Sequence, residues 1–507
     1  MAFDPKSMFR FPRDKEPYVF ENPYVDENTF LKAKASPKAL PKYDEIKELL
    51  PKPVWDGHGD ALDCYYRTWQ IAFANLKSAS EETRFVSDYI DNAFFSFSFM
   101  WDSCFMVMFG KYAGHIFDFQ KTLDNFYSHQ HKDGYITRQL FQSDDGARFS
   151  KDDPASTGPN IFPWAEWEYY CITKDEERLG KVFPVLLAYH KWLQLNRTWQ
   201  NGLYWTTGLA SGMDNQPRVP EGYSPLCSHA FMAWLDACCQ QYISADILIK
   251  ISGVIGREDD TEWLKEEKEL LEKAINENMW DDKDAFYYDM LRDGSLNYVK
   301  SVGAYWTLLA GLVSNERADR FISHLDNEKE FKRPFRIPTL SADHPEYQEY
   351  GDYWRGSVWA PTNYMVLKGL DKYGYNSLAY DIACNYLENI VEVFKKDGTL
   401  YENYSPEHIE KGNHSQDEFV GWTGLAPINI MFEYVFGIRP DAQNKKITWH
   451  INRLEKHGIE NYYFCGKFIT LLCDSRSSAN EEPNITLTNC DGIQIELIWN
   501  GKRKTIS

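Results

Sequence analysis

Along much of the chain, apolar residues return at intervals of three and four, the spacing that lines one face of a helix. Leu378, Ile382, Tyr386, Ile390 and Val393 form one such face, and Gly398 follows as a stop signal. Leu179, Val182, Phe183, Leu186 and Leu193 form another, with Pro184 placed to kink it. Read this way, the sequence predicts twelve helical stretches, near residues 60–77, 98–113, 115–131, 161–173, 176–195, 227–253, 259–279, 298–313, 316–326, 356–373, 376–396 and 417–436. No fixed-period repeat runs through them, which disfavours a solenoid. Twelve helices in one body suggest pairs closing into a ring. The expected fold is therefore all-α dominated, an (α/α)6 barrel over residues 56–438. Residues 1–55 are punctuated by proline and read as an irregular arm wrapping that body. After about 440 the period drops to two. Ile447, Trp449 and Ile451 alternate with polar neighbours, as do Ile493, Ile495, Leu497 and Trp499 ahead of an Asn500-Gly501 turn. With a further strand over 484–488, residues 439–507 are expected to form a small β-sandwich-like appendage.

The most apolar run, Phe94 to Phe109, is short for a membrane span and carries Asp102, so it reads as a buried helix. The first residues lack an apolar h-region, and no signal peptide is expected. The net charge of −20, from 55 basic and 75 acidic residues, would repel phosphate backbones and anionic headgroups. No Lys/Arg-rich run offsets it, so neither nucleic acid nor a membrane is an expected partner. Ten cysteines are scattered without a C-x-x-C pair, which fits free thiols in a reducing compartment better than a disulfide framework. An N-x-S sequon at Asn403 lies inside a segment with candidate chemistry, which also favours a cytoplasmic location.

Dinucleotide, P-loop, nucleophile-elbow and zinc-protease signatures are missing, and His129-x-His131 is a weak metal pair. The loops carry more specific signals. Residues 204–218 combine Asp214 and Arg218 with Gly208 and Gly212, which would let the backbone approach a ligand closely. A tight turn capped by Asp214 explains the same composition. Asp102, set among Phe and Met, costs on the order of several kcal/mol unless it is paired. It either bonds backbone or Arg138, or accepts from a sugar hydroxyl beside Trp101. Residues 353–364 place Trp354, Arg355, Trp359 and Asn363 across a loop-to-helix junction. Aromatic faces with hydrogen-bonding neighbours suit carbohydrate, although tryptophan packing at a helix start explains as much. Glu402, flanked by Tyr401 and Tyr404, is either a base tuned by burial or a surface-loop glutamate.

Taken in order, Trp101-Asp102-Ser103, the S-G-M-D-N-Q-P-R of 211–218, the Y-W-R-G-S-V-W of 353–359, the Y-E-N-Y-S-P-E of 401–407 and the F-V-G-W-T-G-L-A-P of 419–427 resemble the inverting glycoside hydrolases of family 63. That family shares a clan with the family 37 trehalases, and the likeness covers roughly residues 90 to 437. It is strongest to the compact members, bacterial α-glycosidases and mannosylglycerate or glucosylglycerate hydrolases. The resemblance implies an (α/α)6 barrel, in agreement with the helix pattern. It implies an exo-acting hydrolase of α-glycosides, α-glucosides first, whose partner is a small oligosaccharide or glycoside and which needs no metal or organic cofactor. Asp214 would be the general acid and Glu402 the general base. Trp101 and Asp102 would line the subsite of the non-reducing sugar, with Trp354, Arg355 and Trp359 framing the cleft. Gln139, Arg218, Tyr404, Gln416 and Trp422 would complete it. Arg138 would meet an anionic aglycone, while a salt bridge inside the barrel is the plainer explanation for it.

Inversion at an acetal needs a protonated carboxyl on the leaving oxygen and a carboxylate activating water on the opposite ring face. Asp214 is therefore expected to have a raised pKa and Glu402 to stay ionised. Met213 before the acid, and Asn215 to Arg218 after it, depart from the trehalase pattern, as does the short stretch from Lys411 to Asp417. The alternatives of another class are an (α/α)6 lyase or epimerase and a catalytically inactive sugar-binding protein.

Overall fold

The computed structural model describes residues 21–93, 96–144 and 146–506. Residues 1–20 of the expected arm, and the Phe94 end of the apolar run, lie outside the described residues. A helix stands within each of the twelve expected stretches, though several are short. The main ones are α1 (Gly59–Ala74), α2 (Met100–Gly110), α3 (Phe162–Thr173), α4 (Glu176–Asn196), α5 (Leu235–Ile255), α6 (Glu262–Asn278), α7 (Trp306–Ala310), α8 (Asn315–Ile322), α9 (Ala360–Lys372), α10 (Asn376–Asp397) and a π-helix, Ala426–Val435.

Local chemistry sets the ends of these helices. Pro163 sits in the first turn of α3, where its missing N–H costs nothing. Asp175 caps α4 by accepting from the Arg178 N–H at 2.9 Å, and Pro184 is accommodated inside that helix. Left-handed Gly398 ends α10, as the sequence expects.

Burial separates inner from outer helices. Every residue of α2 is buried, so it has no polar face to show, whereas α6 buries only Leu264, Glu267, Leu271 and Ile275 along one stripe. Six helices pack in succession: α2 on α3, α3 on α5, α5 on α7, α7 on α9, α9 on the π-helix, and the π-helix back on α2. Outside them, α4 and α6 lie against α5, α10 against α9, and α1 against α10 and the π-helix.

A charge cluster that the sequence does not announce ties this inner set together. Lys111, after α2, meets Glu168 of α3 at 2.6 Å and Glu433 of the π-helix at 3.2 Å. Lys368 of α9 meets the same two carboxylates at 3.0 and 2.9 Å. Tyr112 and Tyr364 also donate to Glu433, at 2.7 and 3.0 Å. Two lysines thus neutralise two glutamates among four inner segments.

The strands β1 (Lys52–Trp55), β2 (Ile438–Asp441), β3 (Lys446–His450), β4 (His457–Phe464), β5 (Lys467–Cys473), β6 (Ile485–Thr488), β7 (Gln494–Trp499) and β8 (Lys502–Ile506) form two four-stranded sheets. One runs β1-β4-β5-β6 and the other β2-β3-β7-β8. Asn500 and Gly501, both at positive φ, turn β7 into β8 as expected. The structure corrects the expected arm in one respect. Its end is not irregular but supplies β1, which pairs antiparallel with β4 as an edge strand. All ten cysteines are free. No helix among the described residues is long and apolar enough to cross a membrane.

Candidate active site

A cavity of about 290 Å³ opens where the motif-bearing loops converge. Its walls include Trp101, Asp102, Arg138, Gln139, Arg148, Leu209, Gly212, Asp214, Tyr353, Trp354 and Trp422. The first turn of α2 delivers Trp101 and Asp102. Asp102 accepts from the Asn92 amide at 2.8 Å, a donor that neither sequence reading named. Burial pushes its carboxyl up to about 7, against the pull of Asn92.

The acid loop begins with a one-turn helix, Gly208–Ser211, capped by the Thr207 hydroxyl. Gly212 lines the cavity, and both Gly208 and Gly212 make room for the chain itself. A Cβ on Gly208 would lie 2.2 Å from the Pro225 carbonyl oxygen, and one on Gly212, at φ +77°, would lie 3.1 Å from the Trp101 ring. Asp214 follows. It accepts no hydrogen bond from another side chain among the described residues, and burial pushes it up to about 6, opposed chiefly by the Arg138 charge.

Glu402 approaches from the opposite loop and is 1% exposed. Its Oε1 accepts from the Tyr353 hydroxyl at 3.0 Å and its Oε2 from the Gln416 N–H at 3.3 Å. Its own N–H donates to the Gln416 carbonyl at 2.9 Å, and the Trp422 indole donates to its carbonyl at 2.8 Å. Glu402 does not stay in the ordinary carboxylate range. Burial, with the charges of Asp102 and Asp214, pushes it up to about 8 despite its two donors. Asp102 and Asp214 line the cavity and Glu402 lies just behind its wall, so the three carboxyls titrate as a set rather than singly.

Trp354 forms the aromatic wall, stacked on Trp359 with centroids 3.8 Å apart and planes 4° from parallel. Trp359 is fully buried behind it and acts as support. Arg355 is not a wall residue; its Nε donates to the Asn215 carbonyl at 3.2 Å. Gln416 contributes its backbone, as above, while the residue itself is exposed. Two expected binding residues are structural instead. Arg218 is 3% exposed, with its guanidinium consumed by Asp236 and Asp289 at 2.6 and 2.7 Å and lying over Trp234. Tyr404 is buried, its backbone paired with Val358 and its hydroxyl accepting from the Tyr401 N–H.

Arg138 makes no salt bridge among the described residues. It donates to the Leu209 carbonyl and, at 3.3 Å, to the Gln139 side chain. Its Nε, the Trp101 Nε1 and the Gln139 Nε2 are buried without a partner. Unsatisfied buried donors are costly, and these three belong to residues that line the cavity beside the carboxylates. Among the described residues no His, Cys, Asp and Glu side chains are grouped as a metal site would group them. Both His129 ring nitrogens face backbone carbonyls. Sequence reasoning does not single out Asn92, Asn215, Tyr353 or Arg148. Asn215 and Tyr353 stand inside the motifs given above, whereas no local signal marks Asn92 or Arg148.

Comparison with known proteins is consistent with this geometry. The family model described as the mannosylglycerate hydrolase MGH1-like glycoside hydrolase domain matches residues 96–423. An uncharacterized protein of Borreliella burgdorferi is 26% identical over 398 residues, covering 76% of this chain and 80% of its own length. A probable mannosyl-oligosaccharide glucosidase of Schizosaccharomyces pombe is 24% identical over 295 residues, 51% of this chain but only 35% of that relative. In fold, the chain is similar to a family 63 mannosylglycerate hydrolase from Thermus thermophilus solved with glucose. The TM-score is 0.59 at 20% identity, over 72% of this chain and 99% of that one.

Proposed function

The chain belongs to the mannosylglycerate hydrolase MGH1-like family of glycoside hydrolases, and from that premise we propose that it releases the terminal sugar of a short α-glycoside, an α-glucoside first, with inversion. Asp214 is the general acid and Glu402 the general base. One observation carries the assignment: both Glu402 oxygens are held by donors, while among the described residues no other side chain donates to Asp214, leaving it free to give a proton. Water attacks the anomeric carbon and loses its proton to Glu402 as the glycosidic C–O bond breaks and the Asp214 proton passes to the leaving oxygen. Exchange with solvent then removes the proton from Glu402 and restores one to Asp214. The succession of six inner helices that returns to its start supports an (α/α)6 barrel as the frame.

Raised carboxyl pKa values fix the expected pH dependence. With Asp214 near 6 and Glu402 near 8, the singly protonated pair carries its proton mainly on Glu402, and the working state is the minor form in which that proton sits on Asp214. kcat/KM should fall in acid, as the second carboxyl protonates, and in alkali, as the last proton leaves. The optimum then lies near neutrality. The test is a proton NMR time course on α-linked glucose disaccharides, glucosylglycerate and mannosylglycerate, beside Asp214→Asn and Glu402→Gln. The expected outcome is a β-anomer appearing first and each variant losing about 10²–10⁴-fold in rate. An α-anomer first, or a variant that keeps its rate, overturns the mechanism.

A second reading has its own observation. Arg138 and Arg148 both line the cavity, and neither lies within 4 Å of a carboxylate among the described residues. Two unpaired guanidinium groups favour a substrate whose aglycone is an anion, as glycerate is.

A further inference from the structure

Tyr353 lies in a tight loop between Gly351 and Gly356, both at positive φ, and itself has φ +62°. For an aromatic residue that left-handed backbone is strained, and it persists only where surrounding contacts over-determine it. The contacts come from Asn215, the residue after Asp214. Its Nδ2 donates to the Asp352 carbonyl at 2.9 Å, and its Oδ1 accepts from the Trp354 N–H at 2.8 Å. One carboxamide thus clamps the peptide groups on both sides of Tyr353. The Asn215 backbone carbonyl accepts from Arg355 as well, so the three polar groups named here all engage the same loop. The held phenol donates to Glu402 at 3.0 Å.

We propose that Asn215 is a positioning residue which, by holding the strained backbone of Tyr353, aims the phenol at Glu402 and so ties the acid loop to the base. This rests on the reading of Asp214 and Glu402 as the catalytic pair. The ionisable groups that face Glu402 are Tyr353, Asp102 and Asp214, and Arg138 faces the two aspartates in turn. Of the side chains facing Glu402, only Tyr353 favours the ionised form, through its hydrogen bond. Its own pKa is held far above the ordinary phenol value, so it remains a donor throughout the working range.

Asn215→Ala and Tyr353→Phe should therefore have the same signature. Each removes the donor to Glu402 and moves the alkaline limb of kcat/KM up by about one pH unit, with kcat lowered more than KM is raised. The double variant should show no further shift, because both act through one hydrogen bond. A merely structural loosening of the loop would hydrate Glu402 and move the limb down instead. The Glu402 protonation is also read without substrate, by infrared titration of the protonated-carboxyl band that disappears in Glu402→Gln. An upward shift of that band's midpoint in both single variants upholds the clamp even if no glycoside is cleaved. An unchanged or lowered midpoint in Asn215→Ala, or additive shifts in the double variant, overturns it.

Discussion

Replacing Lys111 by Met tests whether the buried charge cluster holds the inner helices together. The Lys111 side chain is wholly buried, and with Lys368 it balances Glu168 and Glu433. Methionine keeps much of the volume but leaves one carboxylate uncompensated in the interior, a change that costs about 3–5 kcal/mol. Unfolding entropy of about 2.1 cal/mol/K per residue comes to roughly 1 kcal/mol/K for a chain of 507 residues, so the expected fall in Tm is about 3–5 °C. Adding Glu433→Gln returns the cluster to neutrality and should recover at least half of the loss. Calorimetry at pH 7 supplies the Tm values. The cluster does not line the cavity, so kcat/KM at 25 °C should stay within about twofold. The lysines hold both carboxyls below their ordinary value of 4.5. Their stabilisation is present above that value and lost as pH falls through the lower folded one, so the gap between the variant and the parent should narrow in acid. A single variant within 1 °C of the parent, or a double variant that falls further still, refutes the balance described here.

Arg218→Met should behave like Lys111→Met, since it strips two buried carboxylates of their cation. The expected result is a Tm lowered by several degrees or insoluble protein, where a residue serving only the substrate would leave the melting curve unmoved. Arg148→Ala separates the two substrate readings. If the aglycone is an anion, KM for glucosylglycerate or mannosylglycerate rises about tenfold while a neutral disaccharide is unaffected; equal effects on both would reject the anionic reading.

Helix periodicity locates the helical regions because burial of one face is written into spacing, whatever the partner. It is silent where the pattern has no polar face to contrast. The all-buried α2 shows itself only through its apolar run, and the π-helix gives no sign that it is not an α-helix. The hairpin of β4 and β5 escapes notice because its turn, Cys465-Gly466, lacks the Asn-Gly or Asp-Gly signal that reveals Asn500-Gly501. β1 escapes because Lys52 to Trp55 contains Pro53, which is tolerated only because this is an edge strand.

At the site, residue type is legible and residue allegiance is not. Asp214, Glu402, Trp101, Asp102, Arg138, Gln139, Trp354 and Trp422 do converge, the glutamate just behind the wall that Tyr353 and Trp422 provide. Arg218 has the same chemistry as Arg138, yet one is spent on Asp236 and Asp289, while the other has no carboxylate within 4 Å among the described residues. Nothing in the sequence pairs Lys111 with Glu433, which folding places 3.2 Å apart. A polar side chain serves a ligand only when the chain has not already used its hydrogen bonds. That accounting is settled by contacts between residues far apart in sequence. Asn215 shows the consequence most sharply. It stands next to the acid inside a motif that the sequence marks, yet nothing local shows that its amide is committed to the loop that aims a phenol at the base.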